Sequence, residues 1–262
     1  MNIVFITIND VLFLPTFFKN FLSKANPADT YKALIVQPIY KNETIISMAR
    51  KYLRTFGLKE FLYFTTETVI SKLQGMFLQP KKDMMLHSVT AVLRAYDCEF
   101  LCIDKDVNES PVIELLRGWN TDIIISVGCP QLFKENIINL PKKGCLNLHG
   151  APLPKYRGVL PSFWMLKNNE KYACNTLFFV NETIDGGDII LQESFPIERD
   201  TTLRSLIMDS KFKASEMVLK AVEMIRSDNV VTRPIEVSRG SYFGWPSRKD
   251  VLDFLACGRR LR

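Results

Sequence analysis

Asn147 and His149 stand two residues apart at the end of the run Cys145-Leu-Asn-Leu-His149. Residues i and i+2 of a strand face the same side, so an amide and an imidazole project together. That pair suits a reaction in which negative charge develops on an oxygen. The amide donates to the oxygen, and the imidazole can move a proton near neutral pH. Taken alone, the spacing is equally that of a structural histidine beside a turn amide. Asp185 opens Asp185-Gly-Gly187, which alone is common hairpin chemistry. His87, the other histidine, sits with Met84, Met85 and Leu86 in an amphipathic stretch and reads as structural.

The elements that must position these residues follow from the apolar pattern. Ile3 to Ile8 is a continuous β-branched and aromatic run, as expected of a strand buried on both faces. Helical spacing follows through Phe13, Phe17, Phe18, Phe21 and Leu22, then a strand over Tyr31 to Gln37. A helix is expected over Thr44 to Phe56, a short strand over Phe61 to Phe64, and helix over 66–96 with breaks near Gly75 and Pro80. Cys98 to Ile103, Asp122 to Val127 and Cys145 to Leu148 read as strands, linked by helices at 110–118 and 130–139. Strand and helix alternate to residue 150, which predicts an α/β fold: a Rossmann-like, mostly parallel sheet with helices on both faces. In such sheets the ligand end is the carboxyl end of the strands, where Asn147 and His149 fall.

Beyond residue 150 the pattern changes. Pro161 starts a short helix carrying Phe163, Trp164 and Leu166. Asn175 to Val180 and Asp188 to Glu193 alternate as two strands around a loop. Asp200-Thr-Thr202 caps a long helix with the stripe Leu203, Leu206, Ile207, Ala214, Met217, Val218, Ala221, Val222 and Ile225. Residues 1–228 are therefore read as a catalytic domain and 229–262 as a small C-terminal extension. In that extension Tyr242-Phe-Gly-Trp245 could stack on a base or sugar, or serve as core or dimer contact.

Composition narrows the classes. The 262 residues are 47% hydrophobic and 24% charged, which excludes a disordered chain, and 12 Gly with 13 Pro exclude a collagenous one. Apolar runs are strand length, short of a bilayer span, and the start lacks a basic leader. No membrane association is expected, and a cytoplasmic location is. The six cysteines form no CxxC pair, so a structural metal is not expected. Settings such as Leu101-Cys102-Ile103 suggest buried free thiols. The net charge of +6 suits an anionic small substrate as readily as a nucleic acid. The turn Thr7 to Phe13 has no glycine, and neither GxGxxG nor GxxxxGK[ST] occurs, which disfavours NAD enzymes and ATPases.

Three linked segments carry a resemblance. Asn147-Leu-His149-Gly-Ala-Pro152-Leu-Pro154-Lys-Tyr-Arg157-Gly158, the helix after it, and Asn181-Glu-Thr-Ile-Asp185-Gly-Gly-Asp188 resemble the formyltransferases that use 10-formyltetrahydrofolate. The family pairs an Asn-x-His strand end with a Leu-Pro-x-x-x-Gly loop and an Asp-x-Gly hairpin loop. The close resemblance covers about residues 120–225. It implies a catalytic triad of Asn147, His149 and Asp185. An amine attacks the formyl carbon, Asn147 and protonated His149 stabilise the oxyanion, and Asp185 holds the imidazole charge and helps remove the amine proton, directly or through water. A carboxylate beside an imidazole favours its charged form. The resemblance also implies a folate site at Val127, Gly128, Cys129, Gln131, Leu132, Thr183 and Ile184. Tyr156 and Arg157 are candidates to reach an anionic substrate, or else lie in a solvated loop.

Departures point toward the sugar N-formyltransferases. The glycine-rich loop that holds the phosphate of glycinamide ribonucleotide is absent after the first strand. Only a short segment follows the long helix, where methionyl-tRNA enzymes carry a large domain. The expected substrate is thus a small, nucleotide-linked amino sugar rather than a nucleic acid, with polysaccharide biosynthesis as the setting. A homodimer is left open. The alternatives are transfer to methionyl-tRNA or glycinamide ribonucleotide, and a folate- or sugar-binding protein without turnover.

Overall fold

The first strand, β1 (Asn2–Ile8), shows how the sheet is built. Its alternate residues face opposite sides. Ile3 and Phe5 enter one apolar core, and Val4 and Ile6 enter another. The structure is a computed structural model and describes residues 1–37, 43–77, 80–84 and 86–262. The elements after β1 are α1 (Leu14–Lys24), β2 (Thr30–Val36), α2 (Ile45–Phe56), α3 (Leu58–Phe77), α4 (Val89–Ala95) and β3 (Glu99–Ile103). They continue with α5 (Ser110–Gly118), β4 (Ile123–Val127), α6 (Glu135–Ile138), β5 (Cys145–His149), β6 (Arg157–Gly158) and α7 (Pro161–Lys167). The chain then forms β7 (Tyr172–Phe179), β8 (Ile189–Pro196), α8 (Leu203–Arg226), β9 (Tyr242–Phe243) and α9 (Arg248–Ala256).

Seven strands form one sheet in the order β3-β2-β1-β4-β5-β7-β8. The pairs from β3 to β5 are parallel, and β5–β7 and β7–β8 are antiparallel. This is the expected mostly parallel α/β sheet. Strand order reverses between β1 and β4, so the carboxyl ends of the central strands border a crevice. On one face Phe5 meets Phe18 and Phe21 of α1 edge-on, with ring centroids 5.2 and 5.0 Å apart. Helix α8 packs its Ala214, Met217, Val218, Ala221 and Val222 into the same core. Thr202 starts α8 with a reciprocal cap: its Oγ1 accepts from Ser205 N at 3.1 Å and Ser205 Oγ accepts from Thr202 N at 3.0 Å.

Three expectations are corrected. Phe61 to Phe64 is not a strand but the first half of α3. A four-residue aromatic run fits either period, and packing decides: Phe64 meets the ring of Tyr52 on α2 at 5.2 Å. Helix over 130–139 is confined to Glu135–Ile138, because side chains hold the preceding loop. Gln131 Oε1 accepts from Val107 N at 2.7 Å and Asn108 Oδ1 from Lys134 N at 2.7 Å. Cys102 is exposed, since β3 is the edge strand; Cys98, Cys145 and Cys174 are buried. Of the helical reading over 66–96, the positions 78–79 and 85 lie outside the described residues.

The segment after residue 228 packs back onto the chain. Phe254 of α9 stacks on Phe163 of α7 at 4.9 Å, in a third core with Tyr156, Trp164 and Leu206. Asp250 ties α9 to α7 through Lys167 Nζ and accepts from Ser247 N at 2.8 Å. Burial works to raise the Asp250 carboxyl, but the hydrogen bonds from Lys167 and Ser247 outweigh it and hold it at about 2, below the usual 3.8. A carboxyl lowered by folding contributes stability that is complete above the unfolded value and is lost as pH falls through the folded one. Asp250→Asn should therefore lower the Tm at pH 7. Thermal unfolding should show the gap to wild type closing as pH falls from about 4 toward about 2.

Candidate active site

Strand β5 lies between β4 and β7, with Asn147 opposite Ser126 and Phe178 and His149 opposite Thr176. Asn147 is half-buried and lines a cleft of about 380 Å³ at the carboxyl end of β4 and β5. Among the described residues no hydrogen bond holds its side-chain amide. His149 is buried, 7% exposed, just beyond it.

The loop after β5 turns back over the histidine. His149 Nε2 lies 2.8 Å from the carbonyl oxygen of Tyr156. A carbonyl only accepts, so Nε2 carries a proton in either charge state of the ring. This contact, rather than any observed hydrogen, sets the tautomer. The other nitrogen, Nδ1, faces Asp185 Oδ1 at 3.8 Å. That is an ion-pair separation too long for a direct hydrogen bond, with room for a bridging group. Nδ1 is thus the nitrogen left to work.

Asp185 is held from the same loop. Its Oδ2 accepts from Gly158 N at 3.0 Å, and its backbone sits at a left-handed φ of 50°. Asn181 braces the turn: its Oδ1 accepts from Thr183 N at 2.9 Å and its Nδ2 donates to Gly186 O at 3.2 Å. Gly158 has φ 99°, and a Cβ there would lie 2.3 Å from the carbonyl oxygen of Phe243. Only glycine lets β6 pair with β9 at that distance while offering its N–H to Asp185. The C-terminal segment completes the clamp through Ser241. Its Oγ accepts from Tyr156 N at 2.9 Å and its carbonyl from Arg157 N at 2.9 Å.

Of the residues expected at a folate site, Cys129, Gln131, Leu132, Thr183 and Ile184 line the cleft. Val127 and Gly128 stand behind it: Val127 is fully buried and accepts from Thr7 Oγ1 through its carbonyl at 2.7 Å, and Gly128 turns the chain at φ 69°. Leu132 is 65% exposed at the rim, an apolar side chain without a protein partner to cover it. Burial pushes the Cys129 thiol up to about 12, so it stays protonated and is no nucleophile at neutral pH.

Tyr156, expected to reach a substrate, is turned inward instead. It is buried, stacks on Phe243 at 5.3 Å and donates from its hydroxyl to Glu170 Oε1 at 2.6 Å. Its contribution to the site is its carbonyl. Arg157 Nη1 donates to Ile184 O at 3.3 Å, bracing the Asp185 loop. Sequence reasoning did not single out Ser126, Phe178, Asn181 or the backbone of Gly158, which also belong here. Tyr242, seen only as part of an aromatic cluster, is exposed at the cleft, whereas Phe243 beside it stacks on Trp164 at 4.8 Å.

The turn after β1 is closed to anions. Asp10 Oδ1 accepts from the N–H groups of Leu12, Phe13 and Leu14 at 3.0, 2.5 and 2.8 Å. Free donors at a helix N-terminus form an anion site; here a carboxylate of the chain already uses them.

Gly158→Ala should break the β6–β9 contact and displace Asp185. The expected loss is on the order of 1–3 kcal/mol of stability, measured by urea unfolding. The His149 ring resonances should shift in the NMR spectrum of the folded variant.

Comparison with known proteins bears on this arrangement. The sequence profile of the formyl transferase family matches residues 68–222. A methionyl-tRNA formyltransferase of Clostridium tetani (strain Massachusetts / E88) is 30% identical over 182 residues, which are 66% of this chain and 59% of that protein. The chain thus spans about three fifths of that relative's length. Among solved structures, the fold is similar to an N-formyltransferase from Helicobacter canadensis in complex with folinic acid and dTDP-3-aminofucose. The TM-score is 0.55 and the identity 18%, covering 95% of this chain and 71% of that one. It is also similar to glycinamide ribonucleotide transformylase 1 from Symbiobacterium toebii, with TM-score 0.59, 15% identity, and 90% and 94% covered. With the profile matching more than half of its length, the chain belongs to the formyl transferase family.

Proposed function

We propose that this chain transfers a formyl group from 10-formyltetrahydrofolate to the amine of a nucleotide-linked amino sugar. The observation that carries the reading is the convergence of an unengaged amide (Asn147), an imidazole with its tautomer set (His149) and a carboxylate (Asp185) at one cleft. The cleft fits the donor. Its volume is in the range of small-molecule sites, and it sets the apolar Leu132 and Ile184 beside the backbone of 129–133 and 181–185. A flat pterin needs such a mixture of apolar cover and backbone partners. Bound there, the donor supplies a formyl carbon open to attack by an amine.

The chain's residues then divide the work. The Asn147 amide and the Nδ1–H of His149 donate to the formyl oxygen as it gains charge. Tyr156 keeps the ring oriented through Nε2. Asp185, 3.8 Å from Nδ1, stabilises the positive ring and receives the proton lost by the attacking nitrogen, directly or through a water. The amine nitrogen would bond to the formyl carbon as that carbon's bond to the folate N10 breaks, and the proton taken by Asp185 would pass to N10, so that a formamide and tetrahydrofolate leave with atoms and charge balanced.

The substrate reading draws on Asp10, which occupies the donors a ribonucleotide phosphate would need after β1, and on the Helicobacter enzyme's sugar nucleotide. The second reading, transfer to methionyl-tRNA, is favoured by the Clostridium relative. Mass-labelled formyl transfer to dTDP- and UDP-amino sugars, glycinamide ribonucleotide and methionyl-tRNA separates them; formylation of methionyl-tRNA alone would replace the sugar reading. Calorimetry with 5-formyltetrahydrofolate should show binding, and none at millimolar concentration would sink the donor assignment.

In single-turnover assays Asn147→Ala should lose on the order of 10²–10³ in rate, as when one oxyanion donor is removed. His149→Ala and Asp185→Asn should lose at least as much. Double variants should be little worse than the worst single one, because the three act as a unit. A near-wild-type rate for His149→Ala would leave a binding protein without turnover.

A further inference from the structure

Helix α3 is apolar on two opposite faces. One packs on the chain: Phe64 meets the ring of Tyr52 at 5.2 Å, and the buried Ser71 donates to the carbonyl of His87. On the other, Leu58, Leu62, Val69, Leu73 and Phe77 fall within an arc of about 100°, as helical rotation places them. They are exposed, Leu58 by 62% and Phe77 by 77%, with Ile70 beside them. Thr65 and Thr66 complete the row. Their hydroxyls donate to the carbonyls of Phe61 and Leu62 at 2.8 and 2.9 Å, so they add no unmet polar group to it. A helix that is apolar all round is normally covered on every side. None of these side chains lines the cleft, so the candidate active site does not account for them.

The spacing of the row indicates what covers it. An antiparallel second copy, with the two-fold axis between Glu67 and Thr68, sets Leu58 opposite Phe77, Leu62 opposite Leu73 and Thr66 opposite Val69. Each contact then occurs twice, as an isologous interface requires. The smaller Thr66 and Val69 lie nearest the axis, and the larger side chains lie toward the ends. Lys59 falls near Phe77 of the second copy and Lys72 near its Tyr63, so no like charges meet. At these exposures the six apolar side chains offer on the order of 600 Å² per copy, hence about 1,200 Å² in a pair, where stable interfaces begin. An anionic membrane also takes an exposed apolar helix, but it asks for a cluster of Lys and Arg. Helix α3 instead balances Lys59 and Lys72 against Glu60 and Glu67. We infer that α3 is the interface of a symmetric dimer of this chain, pairing antiparallel with α3 of a second copy. Both clefts stay open, since no α3 residue lines them, and the inference does not depend on the reaction assigned to them.

The test is sedimentation equilibrium on the full chain at micromolar concentration, where the wild type should be a dimer. Leu62→Glu and Leu73→Lys each set a charge against a leucine, and each should raise the dimer dissociation constant at least tenfold. Far-UV circular dichroism like that of the wild type should show that both are folded. Mixed in equal amounts, the two variants should form a heterodimer: the new carboxylate of one meets the new ammonium of the other, and Leu73 meets Leu62 at the second contact. Leu252→Glu, on the exposed side of α9, should leave the dimer intact. Flotation with vesicles of phosphatidylserine and phosphatidylcholine should leave the wild type unbound. A monomeric wild type, dimers that persist in both folded variants, or a mixture that stays monomeric would each overturn the inference. Recovery of the wild type but not of Leu62→Glu on the vesicles would replace the second copy with a membrane surface.

Discussion

The hydrogen bond from His149 Nε2 to the Tyr156 carbonyl is the contact on which the candidate site depends. It removes one nitrogen from use, orients the ring and leaves Nδ1 toward Asp185. Nothing in β5 can supply that acceptor. The loop after it must fold back, and a loop of this kind needs partners for its own backbone. They come from far along the chain: Ser241 takes the N–H groups of Tyr156 and Arg157, and Phe243 O takes that of Val159 at 2.8 Å. The segment after α8 is therefore part of the machinery that holds the histidine.

The same loop governs the carboxylate. Gly158 offers its N–H to Asp185 and Arg157 holds Ile184 O, so Asp185 and the His149 ring are set by neighbouring residues of one segment. A shift of that segment would disturb the ring and its counter-charge together. Asn147, by contrast, is fixed only by the ladder of β5 between Ser126 and Phe178. Asn147 thus stands on the sheet itself, whereas His149 and Asp185 are set by the clamp.

Much of this was legible in the sequence because it is local. The β-branched run of β1, the Asn147–His149 alternation and the Thr202 cap each declare themselves within a few residues. The Asp185 loop was legible through its linkage to the other two motifs. What stayed hidden depends on distant partners. The helix α3 is decided by the ring of Tyr52, and the exposed Cys102 by the edge position of β3. Tyr156 read from its loop as a substrate contact or a solvated side chain. Its hydroxyl is instead taken by Glu170 and its ring by Phe243. Ser241 gave no signal at all, since a lone serine in an irregular segment has no pattern to break.

Charge placement follows the same logic of what is already used. The chain carries a formal +6, but a net charge says nothing about where an anion can sit. Two cations are committed: Arg157 to the Ile184 carbonyl and Arg262 to Glu60. The donors at the head of α1, the usual place for a phosphate in such a fold, are committed to Asp10. Internal partners thus occupy positions that could otherwise have met an anion. The ribbon of β6 and β9 borders the cleft through Gly158 and Tyr242 and holds Asp185 through the Gly158 N–H. Its register consequently fixes how close the Asp185 carboxylate comes to Nδ1 of His149.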